Sequence, residues 1–249
     1  MTCVVVGAGL AGSLLALALR EQGQSVTLVD DGLFAASSSP VCAASAISYG
    51  ALPGWPLGAT PLARLAAGAS RRWRRLQRQH GDLGWCPRRL RLRGAVGWVA
   101  GDTARLGDRL PAALAEAGVA CHRARAQQLL SGPGGCWLVQ LSDGRSLAAA
   151  QLVLAAGGHC RQLWPALPQR LRCSWAAVRQ LVAYPSSREA GVAWLPAHSQ
   201  RLALERRAPG LSEPQWVVDA GLVPWGAGAL LGQHTLVRPG LEPGDAPPP

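Results

Sequence analysis

Three glycines near the N-terminus, Gly7, Gly9 and Gly12, have the spacing of a turn that holds phosphate groups. They satisfy the pattern G-x-G-x-x-G. The first glycine permits a tight turn, the second leaves room for a pyrophosphate against the main chain, and the third lets a helix approach a strand. The unpaired N–H groups at the start of that helix would face the phosphates. The spacing therefore predicts a dinucleotide site.

An acidic residue follows at the distance that such a site requires. Asp30 ends the second apolar run, SVTLVD, and its carboxylate can accept hydrogen bonds from both ribose hydroxyls of an adenosine. The same charge would repel a 2′-phosphate, which argues against NADP. Asp31 is the weaker candidate and is interpreted as a solvated loop acid. The alternative for the whole stretch is a glycine-rich turn in an apolar core, and the glycine pattern alone does not separate NAD from FAD.

The elements that must position these residues form a βαβ unit. Residues 2–6 (TCVVV) predict a buried strand, residues 10–22 a helix with one apolar face, and residues 25–30 a second strand. Much later, residues 152–156 (LVLAA) predict another buried strand, which ends in a second glycine turn. This order of elements predicts a parallel sheet.

The rest of the chain predicts a less regular architecture. Residues 61–80 predict helical structure whose arginines form a solvated face, and residues 103–118 predict a helix that Pro111 breaks or kinks. After Pro165 helical periodicity fades, and short apolar stretches predict a mostly antiparallel sheet. Its strands are expected at residues 181–184, 191–195, 202–205, 216–220 and 229–232.

Composition narrows the class of protein. The 249 residues carry a net charge of +11, and all 25 basic residues are arginine. We attribute this excess to a compositional bias, with a nucleic-acid surface as the alternative. The seven cysteines are odd in number and form no C-x-x-C pair, so neither a disulfide framework nor a metal site is expected. No run approaches the roughly 18 apolar residues that span a bilayer, and we expect a cytoplasmic protein.

Four stretches together resemble one known family. They are VVVGAGLAGSLLALALREQGQSVTLVD, the serine loop ASSS, GVACHRARAQQL followed by WLVQLSDG, and LVLAAGG. They are similar to the FAD-dependent oxidoreductases of the D-amino-acid oxidase/glycine oxidase superfamily. The resemblance implies an α/β fold, with a Rossmann-like, glutathione-reductase-like FAD-binding domain at residues 1–165. Residues 51–100 would contribute in part to a mixed or antiparallel α+β substrate domain, which takes up residues 166–249 and is incomplete.

The resemblance also implies a cofactor and an activity. The expected reaction is oxidation of an amine or amino acid by hydride transfer to FAD, with O₂ reoxidising the flavin. Two alternatives are a flavin domain that acts on modified tRNA and an inactive, truncated FAD-binding protein. The residues expected to bind FAD are Gly7, Ala8, Gly9, Leu10, Ala11, Gly12, Asp30, Ser37, Ser38, Ala156 and Gly157.

The chain departs from the family pattern in three places. Ala43, Ala44 and Ser45 stand where the loop after the serines has a glycine, and Gln127 stands where a β-branched residue packs near the adenine. The C-terminal part that supplies the substrate clamp is not recognised, so the chain is expected to be a fragment or a truncated reading frame. Its catalytic residues therefore stay unassigned. The residues considered for contact with substrate or flavin are Arg179, Arg188, Arg201, Tyr184 and His159.

Overall fold

The computed structural model describes residues 2–32, 44–53, 61–86, 88–91, 98–168, 173–182, 192–195 and 200–240. The chain divides into two compact units, each assembled from two separate stretches. Unit 1 comprises Met1–Ala46 and Gly107–Leu171, and unit 2 comprises Ile47–Leu106 and Arg172–Pro249. The assignment of residues 1–165 to the cofactor and 166–249 to the substrate stays a prediction.

The described residues form fifteen strands, six α-helices and four short 3-10 helices. The α-helices are α1 (Leu10–Glu21), α2 (Pro61–Ala67), α3 (Ala69–His80), α4 (Thr103–Glu116), α5 (Cys160–Leu163) and α6 (Gln200–Arg207). The strands are β1 (Thr2–Val6), β2 (Ser25–Asp30), β3 (Ala51–Pro53), β4 (Arg88–Arg91), β5 (Trp98–Ala100), β6 (Ala120–Arg123), β7 (Ala126–Ser131), β8 (Trp137–Leu141), β9 (Ser146–Ala149), β10 (Gln151–Leu154), β11 (Ser174–Leu181), β12 (Val192–Trp194), β13 (Gln215–Val218), β14 (Leu222–Trp225) and β15 (Gly228–Val237).

Unit 1 is built on a parallel sheet with the strand order β10-β1-β2-β6. The central strand β1 is buried from Cys3 to Val6, because the strands of a parallel sheet are usually covered on both faces. Helix α1 returns the chain from β1 to β2 and ends where Gly23 adopts a left-handed conformation, with φ at 78°. The predicted strand–helix–strand unit is confirmed.

A three-stranded antiparallel sheet, β7-β8-β9, completes the core of unit 1. Its Val139 and Leu141 pack in one apolar cluster with Val4, Val6 and Val29 of the parallel sheet. The short helix α5 contributes its last residue to the same cluster. The two sheets therefore share a core, and this core supports the carboxyl ends of β1 and β10.

Unit 2 is built on a mixed eight-stranded sheet, in the order β11-β15-β14-β12-β4-β5-β3 with β13 also pairing β15. The long strand β15 pairs β11 along one edge, and β13 and β14 share its other edge. All pairings are antiparallel except that of β4 with β12. The predicted α/β class, with a parallel sheet and a second, largely antiparallel sheet, is confirmed.

Helix α6 covers one face of the β13–β15 region. Its Leu204 packs in a cluster with Val237 of β15 and Val217 of β13. Side chains alternate between the faces of a strand, so Trp216 and Val218 lie on the opposite face. They are 49% and 53% exposed, respectively. One face of this part of the sheet is thus packed, and the other carries exposed apolar side chains.

Of three local predictions, one is confirmed with an added break and two are wrong. Residues 61–80 are helical as predicted, but they form two helices, α2 and α3, which Gly68 separates. The break predicted at Pro111 does not occur, because Pro111 lies inside the single helix α4 next to fully buried residues such as Leu110 and Leu114. Residues 202–205 belong to α6 rather than to a strand, because an apolar stretch this short does not distinguish the two structures.

Among the described residues, no helix is long and apolar enough to cross a lipid bilayer.

Candidate functional site

The candidate site lies where the order of the parallel sheet reverses. Strand β1 connects through α1 to β2 on one side, and its other neighbour, β10, arrives from far along the chain. The carboxyl ends of these three parallel strands meet at one edge. In open α/β sheets, ligands bind in the crevice outside such a switch point.

Gly7 forms the turn after β1 and touches the end of β10. Its φ of 105° is one that residues with a side chain rarely adopt. A Cβ here would collide with the carbonyl oxygen of Ala155 and would come within 2.8 Å of the Cα of Ala156. The structure therefore brings the first glycine turn and the LVLAAGG stretch into direct contact.

The other two glycines set the position of α1. A Cβ on Gly12 would overlap the carbonyl oxygen of Gly7 and would lie 3.3 Å from the Cβ of Ala155. Helix α1 therefore approaches β1 and β10 as closely as it does because residue 12 has no side chain. Gly9 precedes the helix without a side-chain cap, and the first turn of α1 has no acidic residue. The positive end of the helix is available to an anion.

Ser45 lies at this helix end, and the sequence did not identify it as a site residue. Its hydroxyl oxygen accepts a hydrogen bond from the N–H of Leu10 at 2.9 Å. The same oxygen would be 3.0 Å from a Cβ on Gly9. The sequence carries a weak signal, because Ser45 stands where the family pattern has a glycine, but its hydrogen-bond partner is 35 residues away.

Asp30 contacts the glycine turn directly. Its Oδ2 accepts a hydrogen bond from the N–H of Ala8, and its Oδ1 accepts one from Gly32, each at 2.7 Å. Asp31 behaves differently, because its carboxylate pairs with Arg125 at 2.8 Å and both side chains are more than half exposed. Of the two adjacent acids, only Asp30 contacts the glycine turn, and its role toward a ribose stays a prediction.

The structure brings most of the predicted cofactor residues together. Gly157 has a φ of 56°, and the space where its side chain would project is open. Ser37 and Ser38 lie outside the described residues. The predicted residues that gather around the ends of β1, β2 and β10 are Gly7, Ala8, Gly9, Leu10, Ala11, Gly12, Asp30, Ala156 and Gly157.

An FAD molecule fits the chemistry of this donor set. The glycine turn and the first turn of α1, beyond the Leu10 N–H that Ser45 accepts, offer main-chain N–H groups to a pyrophosphate. The carboxylate of Asp30 offers acceptors to an adenosine ribose. The small residues after β10 leave the main chain open to a group that passes close by.

Two arginines considered for the substrate have different surroundings in unit 2. Arg201 is in helix α6, where its guanidinium lies 3.7 Å from Glu205. Arg179 is exposed on β11 and stands opposite Leu231 of β15. Arg188 and Tyr184 lie outside the described residues. His159 is exposed in the turn after β10.

Tyr49 is a buried polar group that the sequence did not reveal. Its ring packs against Ala193 and Val223 in unit 2. Its hydroxyl is buried and has no hydrogen-bond partner within the part of the chain that the structure describes. Burial, together with the nearby carboxylate of Asp219, raises the pKa of Tyr49 to about 12. The phenol is therefore held neutral across the physiological range.

Comparison with protein families supports the resemblance. Residues 2–93 match the model of a family described as FAD dependent oxidoreductase, over less than half of the chain. The predicted resemblance to FAD-dependent oxidoreductases related to D-amino-acid oxidase is confirmed, and FAD is the cofactor of that family. Comparison with curated proteins finds none that matches the sequence.

Several solved structures share the fold. Glycine oxidase from Geobacillus kaustophilus is 15% identical with a TM-score of 0.62, and the match covers 92% of this chain and 70% of that chain. L-amino acid deaminase from Proteus vulgaris is 16% identical with a TM-score of 0.63, over 93% of this chain and 60% of that one. Peptidyl tryptophan dihydroxylase QhpG is 21% identical with a TM-score of 0.51, and the match covers 98% of this chain and 46% of that chain. The chain thus spans less than two thirds of the length of the last two proteins.

Proposed function

We propose that this chain, which carries an FAD-dependent oxidoreductase domain at residues 2–93, oxidises an amine or amino acid and is reoxidised by O₂. Bound FAD would supply the acceptor for a hydride from the carbon next to the substrate amine. The observation that supports this proposal most is the contact between the Gly7 turn and Ala155–Ala156 after β10. This contact joins the two glycine-rich stretches of the sequence into one cradle.

We propose distinct roles for the residues of the cradle. The N–H groups at the start of α1 and the Ser45 hydroxyl would bind the pyrophosphate, which carries the negative charge that a helix N-terminus favours. Asp30 would bind the adenosine ribose while its hydrogen bond from Ala8 fixes the carboxylate. Ser37 and Ser38 would complete the contacts to the phosphates.

For the substrate, we propose that Arg179 binds a carboxylate. Its guanidinium forms no ion pair with any residue that the structure describes, and its cross-strand neighbour Leu231 is 43% exposed. Arg201 is the weaker candidate, because Glu205 is its partner. A charged hydrogen bond of this kind is worth about 1.5–3 kcal/mol. Loss of Arg179 is therefore expected to raise KM for an amino acid by about 10- to 100-fold.

The test is anaerobic reduction of the bound flavin by a panel of candidate substrates. The panel contains amino acids and the amines that correspond to them without the carboxylate. We expect at least one amino acid to bleach the flavin absorbance and to produce hydrogen peroxide when air is admitted. Arg179→Gln should raise KM for that amino acid and leave KM for its decarboxylated analogue unchanged, and Arg201→Gln should change neither. Stoichiometric FAD with no reduction by any member of the panel would contradict the proposed substrate class.

A further inference from the structure

Helix α3 presents a dense basic surface in unit 2. Five of its twelve residues are arginines, all of them exposed, and its sequence ASRRWRRLQRQH contains no acid. The opposite side of the helix is anchored, because the Nε1–H of Trp73 donates to the carbonyl oxygen of Leu83 at 2.9 Å. The exposed arginines are Arg71, Arg72, Arg74, Arg75 and Arg78.

Three of these arginines form a stripe along one face of α3. Arg71, Arg74 and Arg78 are spaced i, i+3 and i+7, which places them on one side over about 10 Å of helix. None of the three forms an ion pair within the described part of the chain. The nearby acid Asp82 instead pairs with Arg105 at 2.8 Å. The charge of this stripe is thus not neutralised by carboxylates of the described chain.

An aromatic ring stands beside the stripe. The guanidinium carbon of Arg74 lies 5.9 Å from the ring centroid of Trp85, which is within the range of a cation–π contact. The Trp85 ring in turn lies 6.0 Å from the Trp73 ring, and the backbone N–H of Trp85 donates to Oε1 of Gln77 at 2.7 Å. Trp85 is only half-buried, so part of the ring is available to a partner.

We propose that the α3 stripe, defined as Arg71, Arg74 and Arg78, binds the phosphates of single-stranded nucleic acid while Trp85 stacks on a base. A row of positive charges along the strand and an accessible aromatic ring on which a base can stack are the two features that proteins use for single strands. The carboxylates of an acidic protein segment would pair with the arginines, but they offer no planar ring to stack on Trp85. A membrane is disfavoured because the apolar side of α3 is packed against its own unit, so no apolar face is left to insert.

The proposed interaction does not depend on the nucleotide sequence of the bound strand. Phosphates and base faces are common to RNA and DNA, so strands of the same sequence should bind with Kd values within about threefold of each other. Non-specific contacts of this size correspond to Kd values on the order of 1–100 μM at moderate salt. This activity would be separate from flavin chemistry and independent of the proposed oxidation.

Fluorescence anisotropy with a labelled 20-nucleotide single-stranded RNA, and with DNA of the same sequence, tests the proposal on the full chain. The variant R74Q/R78Q removes two charges from the stripe. The control R206Q/R207Q removes two exposed charges from the end of α6 in the same unit. We expect R74Q/R78Q to weaken binding by at least about tenfold and to lower the slope of log K against log salt by about 1.4. The control should stay within about twofold of the parent chain.

The role of Trp85 is tested separately. Trp85→Leu should weaken RNA binding by about fivefold or more with no change in the salt slope, since stacking involves no counterion release. Trp85→Phe keeps a ring and should bind within about twofold. Circular dichroism shows whether the leucine variant folds. If it does not fold, the site is still tested by the binding that Trp85→Phe should retain and that R74Q/R78Q should lose.

Three results would overturn the proposal. One is an equal loss of affinity in R74Q/R78Q and R206Q/R207Q, which would indicate a general charge effect. Another is competition by polyglutamate as effective as that by unlabelled RNA, which would indicate an acidic protein partner. The third is binding to vesicles of anionic lipid that exceeds binding to RNA.

Discussion

The N–H of Ala8 donates a hydrogen bond of 2.7 Å to Oδ2 of Asp30, joining the glycine turn to the end of the second strand. The second carboxylate oxygen of Asp30 accepts the N–H of Gly32, so the side chain is held from two directions. Asp31 faces Arg125 instead. Two neighbouring acids that are alike in sequence therefore have different environments, and only one is fixed at the glycine turn.

Asp30→Asn should weaken FAD binding. The amide keeps the size of the side chain but loses the charge that strengthens hydrogen bonds from ribose hydroxyls and from Ala8. A loss of about 1.5–3 kcal/mol, or roughly 10- to 100-fold in Kd, is expected from isothermal titration. Asp31→Asn is the matched control, because its exposed ion pair is worth at most about 1 kcal/mol. Equal effects of the two substitutions would contradict the assignment.

Ser45→Ala should weaken both the start of α1 and the binding of FAD. The substitution removes the hydroxyl that accepts the Leu10 N–H, and the loss of such an acceptor at a helix start costs about 1 kcal/mol. Ser146→Ala on the exposed face of β9 is the control and should change stability by less than about 0.5 kcal/mol. Urea unfolding of the flavin-free chain reports the first effect, and titration with FAD reports the second. Unchanged values for Ser45→Ala in both measurements would refute the role of this serine.

Gly7→Ala should destabilise unit 1. The new Cβ would meet the carbonyl oxygen of Ala155, and the φ of 105° is strained for alanine, so a cost of about 3 kcal/mol or more is expected. Gly107→Ala is the contrasting change, because Gly107 lies within α4 and its Cβ would meet no atom within 4 Å. It should raise stability by about 0.5–1 kcal/mol. Urea unfolding measures both effects. A urea midpoint for Gly7→Ala equal to that of the parent chain would contradict the close contact between Gly7 and Ala155.

Tyr49 should ionise about two pH units later than an ordinary tyrosine. Its folded pKa of about 12 lies above its usual value near 10, so this group leaves the free energy of unfolding unchanged below pH 10 and lowers it as the pH rises from 10 toward 12. Absorbance at the tyrosinate wavelength should show a step near pH 12 that disappears in Tyr49→Phe. The same variant should fold at least as stably as the parent chain at pH 7, because it removes a buried hydroxyl without a partner. A step near pH 10 that vanishes in the variant would contradict the burial of this hydroxyl.

The sequence predicted those parts of the fold that local patterns determine. The run from Thr2 to Asp30 combines a buried strand, a glycine turn and an amphipathic helix, and each signal lies within a few residues of the structure it specifies. Residues 202–205 show the limit of this approach. The carboxylate of Asp219 accepts hydrogen bonds from the N–H groups of Gln200 and Arg201, and so caps α6 from 18 or 19 residues away.

The same limit applies to the site. Gly7, Gly12 and Asp30 could be predicted because their spacing along the chain reflects one βαβ unit. Ser45 and Tyr49 could not, because their environments depend on contacts with residues far away in the sequence. Burial of a lone tyrosine has no signature in the neighbouring residues.

The most direct test of the cofactor assignment is the nucleotide preference of the purified 249-residue chain. Unfolding monitored with added FAD, NAD or NADP, together with titration calorimetry, reports which dinucleotide binds the cradle and in what ratio. We predict that FAD binds at one molecule per chain, raises the unfolding midpoint and is lost in Gly7→Ala. Tighter binding of NAD than of FAD, or FAD binding that Gly7→Ala and Asp30→Asn leave unchanged, would contradict the assignment of this site.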